Sequence, residues 1–352
     1  MPTSIRMEPT TASRREGVDL ADVAFSSVFS DHMLVAEFRD GGWDEVVIRP
    51  YGPLSLMPTI TALQYGISVF EGLKAHRLAG GDLALFRPAE NARRINRSAA
   101  RLAMPAVPEA MFLDGLRALV RLDERWVPPH GAGALYVRPC LFSIDPSVRV
   151  KPAERFLFTI VTAPFSRYYA APVDVLVTER WVRAFPGGTG AVKPGGNYAP
   201  ALVADREARD SGCDTVLWLD GLERRYIEEC GVMNVFFVLD DRVVTPDLSG
   251  TILPGVTRDS AITLLRDMGH TVEERRIAVD ELQDWHGRGK LRECFGTGTA
   301  ATLTHVRRIR HREVDFVLPP VEERTVGPAV RERLMAIMTG DAPDPHGWLE
   351  RV

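Results

Sequence analysis

The chain has 352 residues, of which 45% are apolar and 26% are charged, and its formal net charge is −4. This composition is typical of a globular protein with a sizeable core, and the length suggests two domains. The weak charge, with no long run of like charges, argues against a nucleic-acid partner, and the absence of about 18 consecutive apolar residues argues against a membrane-spanning helix.

The N-terminal residues 1–20 are polar and lack the apolar stretch of a secretory signal, so we expect them to be partly flexible. The four cysteines, Cys140, Cys213, Cys230 and Cys294, have no CxxC spacing. This pattern disfavours a disulfide framework or a metal site, and it favours reduced thiols in the cytoplasm. We therefore expect a cytoplasmic protein without a metal cofactor.

The first half of the chain predicts a mixed α/β domain. Its elements, in order, are two strands around a Gly-Gly turn in 31–49, helices over 89–104 and 109–123, and strands over 134–142 and 155–164. We assign this domain to residues 1–168, and residues 169–173 to an interdomain loop.

The second half is richer in strands. Strands are predicted over 174–184, 214–220 and 225–229, a hairpin about Asp240-Asp241 over 233–246, and helices over 257–268 and 279–286. The few βαβ alternations disfavour a doubly wound sheet, so we expect an α+β arrangement of strands and helices with a larger second domain over 174–352. The dinucleotide, Walker, HExxH and GxSxG motifs are absent from the chain.

Lys193 lies in the stretch GGTGAVKPGGNY (187–198), although the chain has only four lysines among its 43 basic residues. Arginine replaces lysine in most ion pairs, but it cannot supply a deprotonated amine. The glycines let a flat ligand approach the backbone closely. Lys193 is therefore a candidate nucleophile, and the alternative is a surface lysine in a flexible loop.

Candidate anion and carboxylate positions are found elsewhere. ILPGVTRDS (252–260) places Thr257 as an N-cap before a helix, GTGTA (296–300) offers further backbone N–H groups, and Arg94 supplies charge. Each feature also fits ordinary helix capping. Glu228 and Glu229 are adjacent on a strand and so face opposite ways, which would let one carboxylate meet a pyridine nitrogen while the other faces solvent. The alternative is a solvated strand edge.

Nine ordered stretches resemble the branched-chain amino acid aminotransferases, which are pyridoxal-phosphate enzymes of fold type IV. They are FSDHML (29–34), YGISVFEGLKAHR (65–77), LFRPAENARRINRSAARLAMP (85–105), YVRP (136–139), GGTGAVKPGGNY, EECGVMN (228–234), LPGVTR (253–258), FGTGTA (295–300) and GWLERV (347–352). The resemblance implies a two-domain α/β fold, with a small N-terminal domain, a larger C-terminal domain and the active site between them.

The resemblance also implies roles for single residues. Lys193 matches the Schiff-base lysine that also moves the substrate proton, Glu229 the partner of the pyridine nitrogen, and Tyr198 the partner of the ring hydroxyl. The phosphate contacts match Arg94, Val256, Thr257 and Thr299. The substrate carboxylate lies near Thr299–Ala300 in the family, and the side-chain pocket matches Phe25, Tyr65, Tyr136, Arg138 and Tyr168.

The implied activity is amino-group transfer between L-leucine, L-isoleucine or L-valine and 2-oxoglutarate, with pyridoxal 5′-phosphate as cofactor and a homodimer as the assembly. The alternatives are an aminotransferase for another apolar or β-branched 2-oxo acid, a D-amino acid aminotransferase, an aminodeoxychorismate lyase, and a non-catalytic phosphate-binding protein. Three departures are visible: Val232 stands where many relatives have threonine, no CxxC follows GTGTA, and Pro194 directly follows the lysine, which is less usual. They affect the expected substrate range and exclude a thiol switch of that kind.

Overall fold

Apolar, β-branched runs form two separate sheets in the computed structural model, which describes residues 4–166 and 171–352. The first strands and helices are β1 (Ile5–Met7), β2 (His32–Arg39), β3 (Gly42–Trp43), β4 (Val46–Pro50), α1 (Thr61–Tyr65), β5 (Ser68–Phe70), β6 (Leu73–Arg77), β7 (Leu83–Phe86), α2 (Pro88–Arg101), α3 (Glu109–Leu122), β8 (Ala134–Ser143) and β9 (Phe156–Phe165).

The later elements are β10 (Val173–Thr178), α4 (Ala201–Asp210), β11 (Thr215–Leu219), β12 (Ile227–Cys230), β13 (Met233–Val238), β14 (Val243–Thr245), α5 (Val256–Asp267), β15 (Val272–Glu274), α6 (Val279–Gly287), β16 (Glu293–Gly298), β17 (Thr302–His311), β18 (Val314–Val317), α7 (Val326–Thr339) and β19 (Leu349–Arg351).

The described residues divide into two compact units. The first contains the residues up to 166 together with Lys193–Gly196 and Ala336–Val352, and the second contains those from 171 to Val192 and Asn197–Met335. The sequence assigned 174–352 to one domain, and the structure differs at two segments. Pro194 forms a β-bridge with Val69, and β19 pairs with β7, so both segments are bound to the first unit's strands.

The sheet of the first unit has the strand order β1-β4-β2-β9-β8-β6-β7-β19, with β3 beside β2 and β5 beside β8. Its core is formed by sheet residues such as Leu34, Leu85 and Phe158, which pack with Ile95 of α2 and Leu116 of α3. The buried positions of α2 recur with the helical period, because one face of the helix packs inward. That face carries both core residues and polar residues of the candidate site.

The sheet of the second unit closes on itself. Its order is β12-β11-β10-β17-β16-β13, and β12 also pairs with β13, while β14, β15 and β18 extend the edges. Strands β10, β11 and β17 pair in parallel and most other neighbours pair antiparallel. Closure removes free edges from these six strands and fixes the register of the polar residues that they carry.

The predicted helices over 89–104, 109–123, 257–268 and 279–286 are confirmed as α2, α3, α5 and α6. The predicted hairpin is also confirmed, since Val238 pairs with Val243 across the turn at Asp240-Asp241. The expected strand over 174–184 ends at Thr178, and 31–49 forms three strands instead of two. Among the helices of the described residues, none combines the length and the hydropathy that crossing a membrane requires.

Candidate active site

Lys193 is held by its backbone against β5 and α2 in the first unit. Its N–H donates to Ser98 Oγ at 3.0 Å, and its carbonyl accepts the Phe70 N–H at 3.1 Å. The Lys193 Nζ lies 4.9 Å from the centroid of the Phe70 ring. The alternative of a surface lysine in a flexible loop is therefore wrong, because both backbone groups are fixed and the amine faces protein.

Arg94 and Glu71 form a buried ion pair in the same unit. Arg94 Nε donates to Glu71 Oε1 at 2.7 Å, and an Arg94 terminal nitrogen donates to Oε2 at 2.8 Å. Asn91, one helical turn earlier on α2, donates to Oε2 at 2.8 Å. The side chain of Glu71 is 0% exposed and that of Arg94 is 4% exposed, so the pair is shielded from screening by solvent.

These charges set the protonation of the cluster. Burial lowers the pKa of Lys193 to about 8, and the positive charges of Arg94 and Arg138 add to this effect, while Glu71 and Tyr136 oppose it. Burial by itself would raise the pKa of Glu71, but its pKa is lowered because the charge and hydrogen bonds of Arg94, the charge of Lys193 and the Asn91 amide outweigh the burial. Lys193 is thus an amine that is partly neutral near physiological pH.

An aromatic cluster lies in the first unit and includes two of the predicted pocket residues. The Phe25 and Tyr136 rings are 5.0 Å apart at their centroids in an edge-on arrangement. The Arg138 guanidinium lies 4.7 Å from the Phe70 ring and donates to Tyr136 Oη at 3.0 Å. The structure therefore joins Phe25 to Tyr136 and Tyr136 to Arg138, and Arg138 in turn contacts Phe70, the residue under the Lys193 amine.

Tyr65 has a different environment. It is 41% exposed, and its hydroxyl donates to the Val148 carbonyl at the protein surface. Tyr168, the other predicted aromatic pocket residue, lies outside the described residues.

The predicted carboxylate is held in the second unit. Glu229, Asn234 and Thr297 stand directly opposite one another on β12, β13 and β16, so their side chains share one face of the sheet. Glu229 Oε1 accepts the Leu253 N–H at 2.8 Å and lies 3.2 Å from an Arg183 terminal nitrogen. These contacts pair the Glu229 carboxylate with a positive charge and fix the direction of its side chain.

Glu228 corrects the expectation that one glutamate faces solvent. Both Glu228 and Glu229 are only 4% exposed, because β12 is an inner strand of the closed sheet. Glu228 Oε1 accepts the Thr251 hydroxyl, and burial raises the pKa of Glu228. The solvated strand edge is therefore excluded for this pair.

The helix start at the predicted anion position is shifted by two residues. Gly255 is the N-cap of α5, with no side-chain cap, and Thr257 lies within the first turn, so the prediction of Thr257 as N-cap is wrong. A Cβ on residue 255 would overlap Asn234 Oδ1, which explains glycine at this position. Val256 and Thr257 remain in the first turn, where backbone N–H groups favour an anion.

The remaining predicted positions are also in the second unit. Tyr198 is half-buried and follows Asn197, whose side-chain amide donates to the carbonyls of Thr189 and Val192 at 2.8 and 3.1 Å. Thr299 and Ala300 form the turn between β16 and β17 and are half-buried.

Comparison with known proteins decides the family. The amino-transferase class IV family matches residues 68–309. The chain belongs to this family. It is 43% identical to the branched-chain-amino-acid aminotransferase of Mycolicibacterium smegmatis, over 99% of this chain and 97% of that protein. It is 41% identical to branched-chain-amino-acid transaminase 1 of Bacillus subtilis, over 97% of this chain and 98% of that protein.

Solved structures agree with the family assignment. The Escherichia coli branched-chain amino acid aminotransferase has a TM-score of 0.73 at 27% identity, covering 91% of this chain and 98% of that one. The T.th. branched-chain amino acid aminotransferase with pyridoxamine 5′-phosphate has a TM-score of 0.72 at 28% identity, covering 90% of this chain and 97% of that one. The expected fold type, enzyme class and pyridoxal 5′-phosphate cofactor are confirmed by these matches.

The residues of this class IV aminotransferase fit that cofactor. The first unit contains a partly neutral amine and a buried guanidinium, which suit an aldehyde and a phosphate. The second unit contains a fixed carboxylate, which suits a pyridine nitrogen. Thr297 Oγ1, on the same strand face as Glu229, is buried and has no hydrogen-bond partner among the described residues. In the same ranges, no three His, Cys, Asp or Glu side chains are grouped as metal ligands would be.

Sequence reasoning missed several polar residues of these clusters, among them Glu71, Arg183, Asn234 and Thr297. Glu71 had a signal, since a carboxylate interrupts the apolar run of residues 67–73 next to Gly72. Arg183 had none, because its partners Glu229 and Thr251 are distant in sequence.

Proposed function

We propose that this aminotransferase exchanges amino groups between L-leucine, L-isoleucine or L-valine and 2-oxoglutarate, giving branched 2-oxo acids and L-glutamate. The observation that carries the proposal is Lys193, an amine with a pKa of about 8 above the Phe70 ring and near Tyr136 and Arg138. Such an amine acts as nucleophile and base near neutral pH. The curated relatives named above carry the same substrate class in their names.

We assign the cofactor contacts as follows: Lys193 is the covalent attachment point, Glu229 binds the ring nitrogen, Tyr198 binds the ring hydroxyl, and the phosphate is bound by Arg94, Val256, Thr257 and Thr299. Bound pyridoxal 5′-phosphate supplies an electron-accepting ring for the pair left at the substrate Cα. The Arg183 contact keeps Glu229 anionic, which favours a protonated ring nitrogen opposite it.

Lys193 Nζ moves the substrate proton. In its neutral form it accepts the proton from the substrate Cα. As an ammonium it then donates that proton again, which completes the proton transfer. The Phe70 ring beneath the amine and the Ser98 contact to its backbone limit its movement. The Lys193 amine, which is both proton acceptor and proton donor, is therefore held close to one position during the reaction.

The substrate side chain is assigned to Phe25, Tyr136, Arg138 and Tyr168. Burial of a leucine-sized side chain against aromatic rings contributes about 1.5–3 kcal/mol, which favours branched aliphatic substrates over alanine. Arg138 binds the second carboxylate of glutamate and 2-oxoglutarate, because its guanidinium is held at the Tyr136 hydroxyl. The substrate α-carboxylate is assigned to the turn at Thr299–Ala300.

A homodimer is part of the proposal. The segments around α1 and residues 146–150 are joined by hydrogen bonds and expose apolar side chains, namely Met57, Leu63, Tyr65, Val148 and Val150. Exposed apolar patches of this kind mark interfaces between proteins. We place Tyr65 at the dimer contact, which accounts for its exposure in a single chain.

Leu63→Asp tests the dimer. Leu63 is 70% exposed, so a charge there leaves the fold of one chain intact but opposes apolar association. We expect sedimentation velocity to give a monomer with greatly reduced turnover. Leu222→Asp is the matched control, because Leu222 is 71% exposed in the second unit. A monomeric wild-type enzyme with full activity would refute the dimer.

We also propose that the enzyme works in the cytoplasm, in keeping with its four free cysteines. Detection of the tagged protein in the cytosolic fraction of lysed cells would support this location, and detection outside the cell would refute it.

Amino-group transfer is tested with ¹⁵N-labelled amino acids and 2-oxoglutarate, with labelled glutamate measured by mass spectrometry. We expect kcat/KM for L-leucine, L-isoleucine and L-valine to exceed that for L-alanine at least about tenfold. Lys193→Arg keeps a cation but abolishes turnover, whereas Lys151→Arg at an exposed position does not. Preference for another apolar L-amino acid, or for D-amino acids, would replace the substrate proposal.

A further inference from the structure

Glu71 is an unusual residue for its position. Its side chain is 0% exposed between β5 and β6, and buried carboxylates are costly unless they are paired and hydrogen-bonded. An ion pair of this kind is weak evidence for stability, because apolar residues of similar volume often serve as well or better. Its presence next to Lys193 therefore calls for a reason other than stability.

The geometry of the pair fixes Arg94. Both carboxylate oxygens of Glu71 are engaged, one by Arg94 Nε and the other by a terminal nitrogen, at 2.7 and 2.8 Å. A bidentate contact sets the plane of a guanidinium as well as its position. The carboxylate is itself held by the Asn91 amide at 2.8 Å and the Gly72 N–H at 3.2 Å. Arg94 is therefore supported by a rigid acceptor.

The charges around Lys193 are unbalanced without Glu71. Arg94 and Arg138 both disfavour a protonated Lys193, and Glu71 is the carboxylate that opposes them, with the Tyr136 hydroxyl as a further contributor. Lys193 in turn favours the ionised form of Glu71. The carboxylate thus acts on both groups that the proposed function assigns to the cofactor.

We propose that Glu71 is a positioning residue of the cofactor site, which holds the Arg94 guanidinium for an anionic phosphate and balances its charge beside Lys193. The inference rests on the proposed function of Arg94 and Lys193. Glu71 has a charge effect on Lys193 and a geometric effect on Arg94, and two substitutions separate these effects.

Glu71→Gln removes the charge and keeps the size. The readout is the pKa of Lys193 in the apoprotein, measured by ¹³C-lysine NMR, in which only four lysines contribute signals. We expect the midpoint of titration to fall by roughly one pH unit or more, because the opposing carboxylate is lost. Glu90→Gln is the control, since Glu90 lies on α2 like Arg94 but is half-buried and pairs with Arg93 at the surface. It should leave the midpoint unchanged.

Glu71→Asp keeps the charge and breaks the bidentate geometry, because the side chain is one methylene shorter. The readout is the affinity for pyridoxal 5′-phosphate relative to pyridoxal, which lacks the phosphate, measured by fluorescence quenching. We expect the ratio to fall about tenfold, with a near wild-type midpoint for Lys193. If Glu71→Gln does not fold by circular dichroism, this ratio carries the test.

An unchanged Lys193 midpoint in a folded Glu71→Gln protein would overturn the charge effect, and an unchanged affinity ratio in Glu71→Asp would overturn the geometric effect. Failure of the proposed function is distinguishable, because it would appear in the wild-type protein as absence of cofactor attachment or of turnover.

Discussion

The lowered pKa of Lys193 predicts that this residue destabilises the apoprotein when its amine is protonated. Below pH 8 the buried amine must carry a proton in a site that disfavours charge. Lys193→Met keeps the length of the side chain and removes the charge, so we expect the apoprotein to become more stable at pH 7.

The size of the effect follows from the change in pKa from 10.5 to about 8. At roughly 1.4 kcal/mol per unit, the penalty in the wild-type apoprotein is at most about 3.5 kcal/mol, and we expect a gain of about 2–3 kcal/mol because the surrounding structure relaxes. Between pH 8 and 10.5 the unfolded chain binds more protons than the folded one, so wild-type stability rises with pH through this window. The advantage of the variant is full below pH 8 and disappears near pH 10.5.

The assay is urea unfolding of both apoproteins at equal protomer concentration, at pH 7 and pH 10. Lys151→Met serves as the control, because Lys151 is exposed and pairs with Glu154 at 3.3 Å. A variant that is no more stable at pH 7, or that gains equally at both pH values, would refute the argument that burial and neighbouring charge control Lys193.

Two further substitutions test Gly72, which lies beside the aromatic cluster, and Glu293, a buried residue at the start of β16. Gly72→Ala should raise KM for L-leucine about tenfold, because the new Cβ would overlap the Tyr136 hydroxyl and lie 2.8 Å from its Cζ; Gly80→Ala, with open space around it, should leave KM unchanged in the same steady-state assay. Glu293→Gln should lower the free energy of unfolding by about 1–3 kcal/mol in urea, since Glu293 accepts the backbone N–H groups of residues 325–327 at 2.7–2.9 Å. Glu323→Gln, at an exposed site, should leave the free energy of unfolding unchanged. Equal losses of stability in the two variants would contradict a stabilising role for the hydrogen bonds to Glu293.

The sequence predicts the elements whose signals are local. The helical period around Ile95 and the turn at Asp240-Asp241 were sufficient to place α2 and the β13–β14 hairpin. Lys193 was also identifiable, because a lysine among glycines is conspicuous in a chain with so few lysines. The resemblance to known aminotransferases then supplied the family.

Features that depend on distant pairing were not predictable. The pairing of β12 with β13 and β16 with β17 closes the second sheet, and it is this closure that buries Glu228. Arg94 was visible as a charge, but its acceptor Glu71 lies 23 residues away. Thr257 was misplaced as an N-cap because the crowding of Gly255 by Asn234 has no local signal.

The central claim is that Lys193 binds pyridoxal 5′-phosphate and that the enzyme takes amino groups from branched L-amino acids. The most direct measurement is the absorbance spectrum of the reconstituted protein, before and after L-leucine, with D-leucine as control. We predict a visible band at ~410–420 nm that L-leucine, but not D-leucine, converts to one at ~330 nm. A visible band that persists with L-leucine would contradict the substrate, and its absence from the wild-type protein would contradict the role of Lys193.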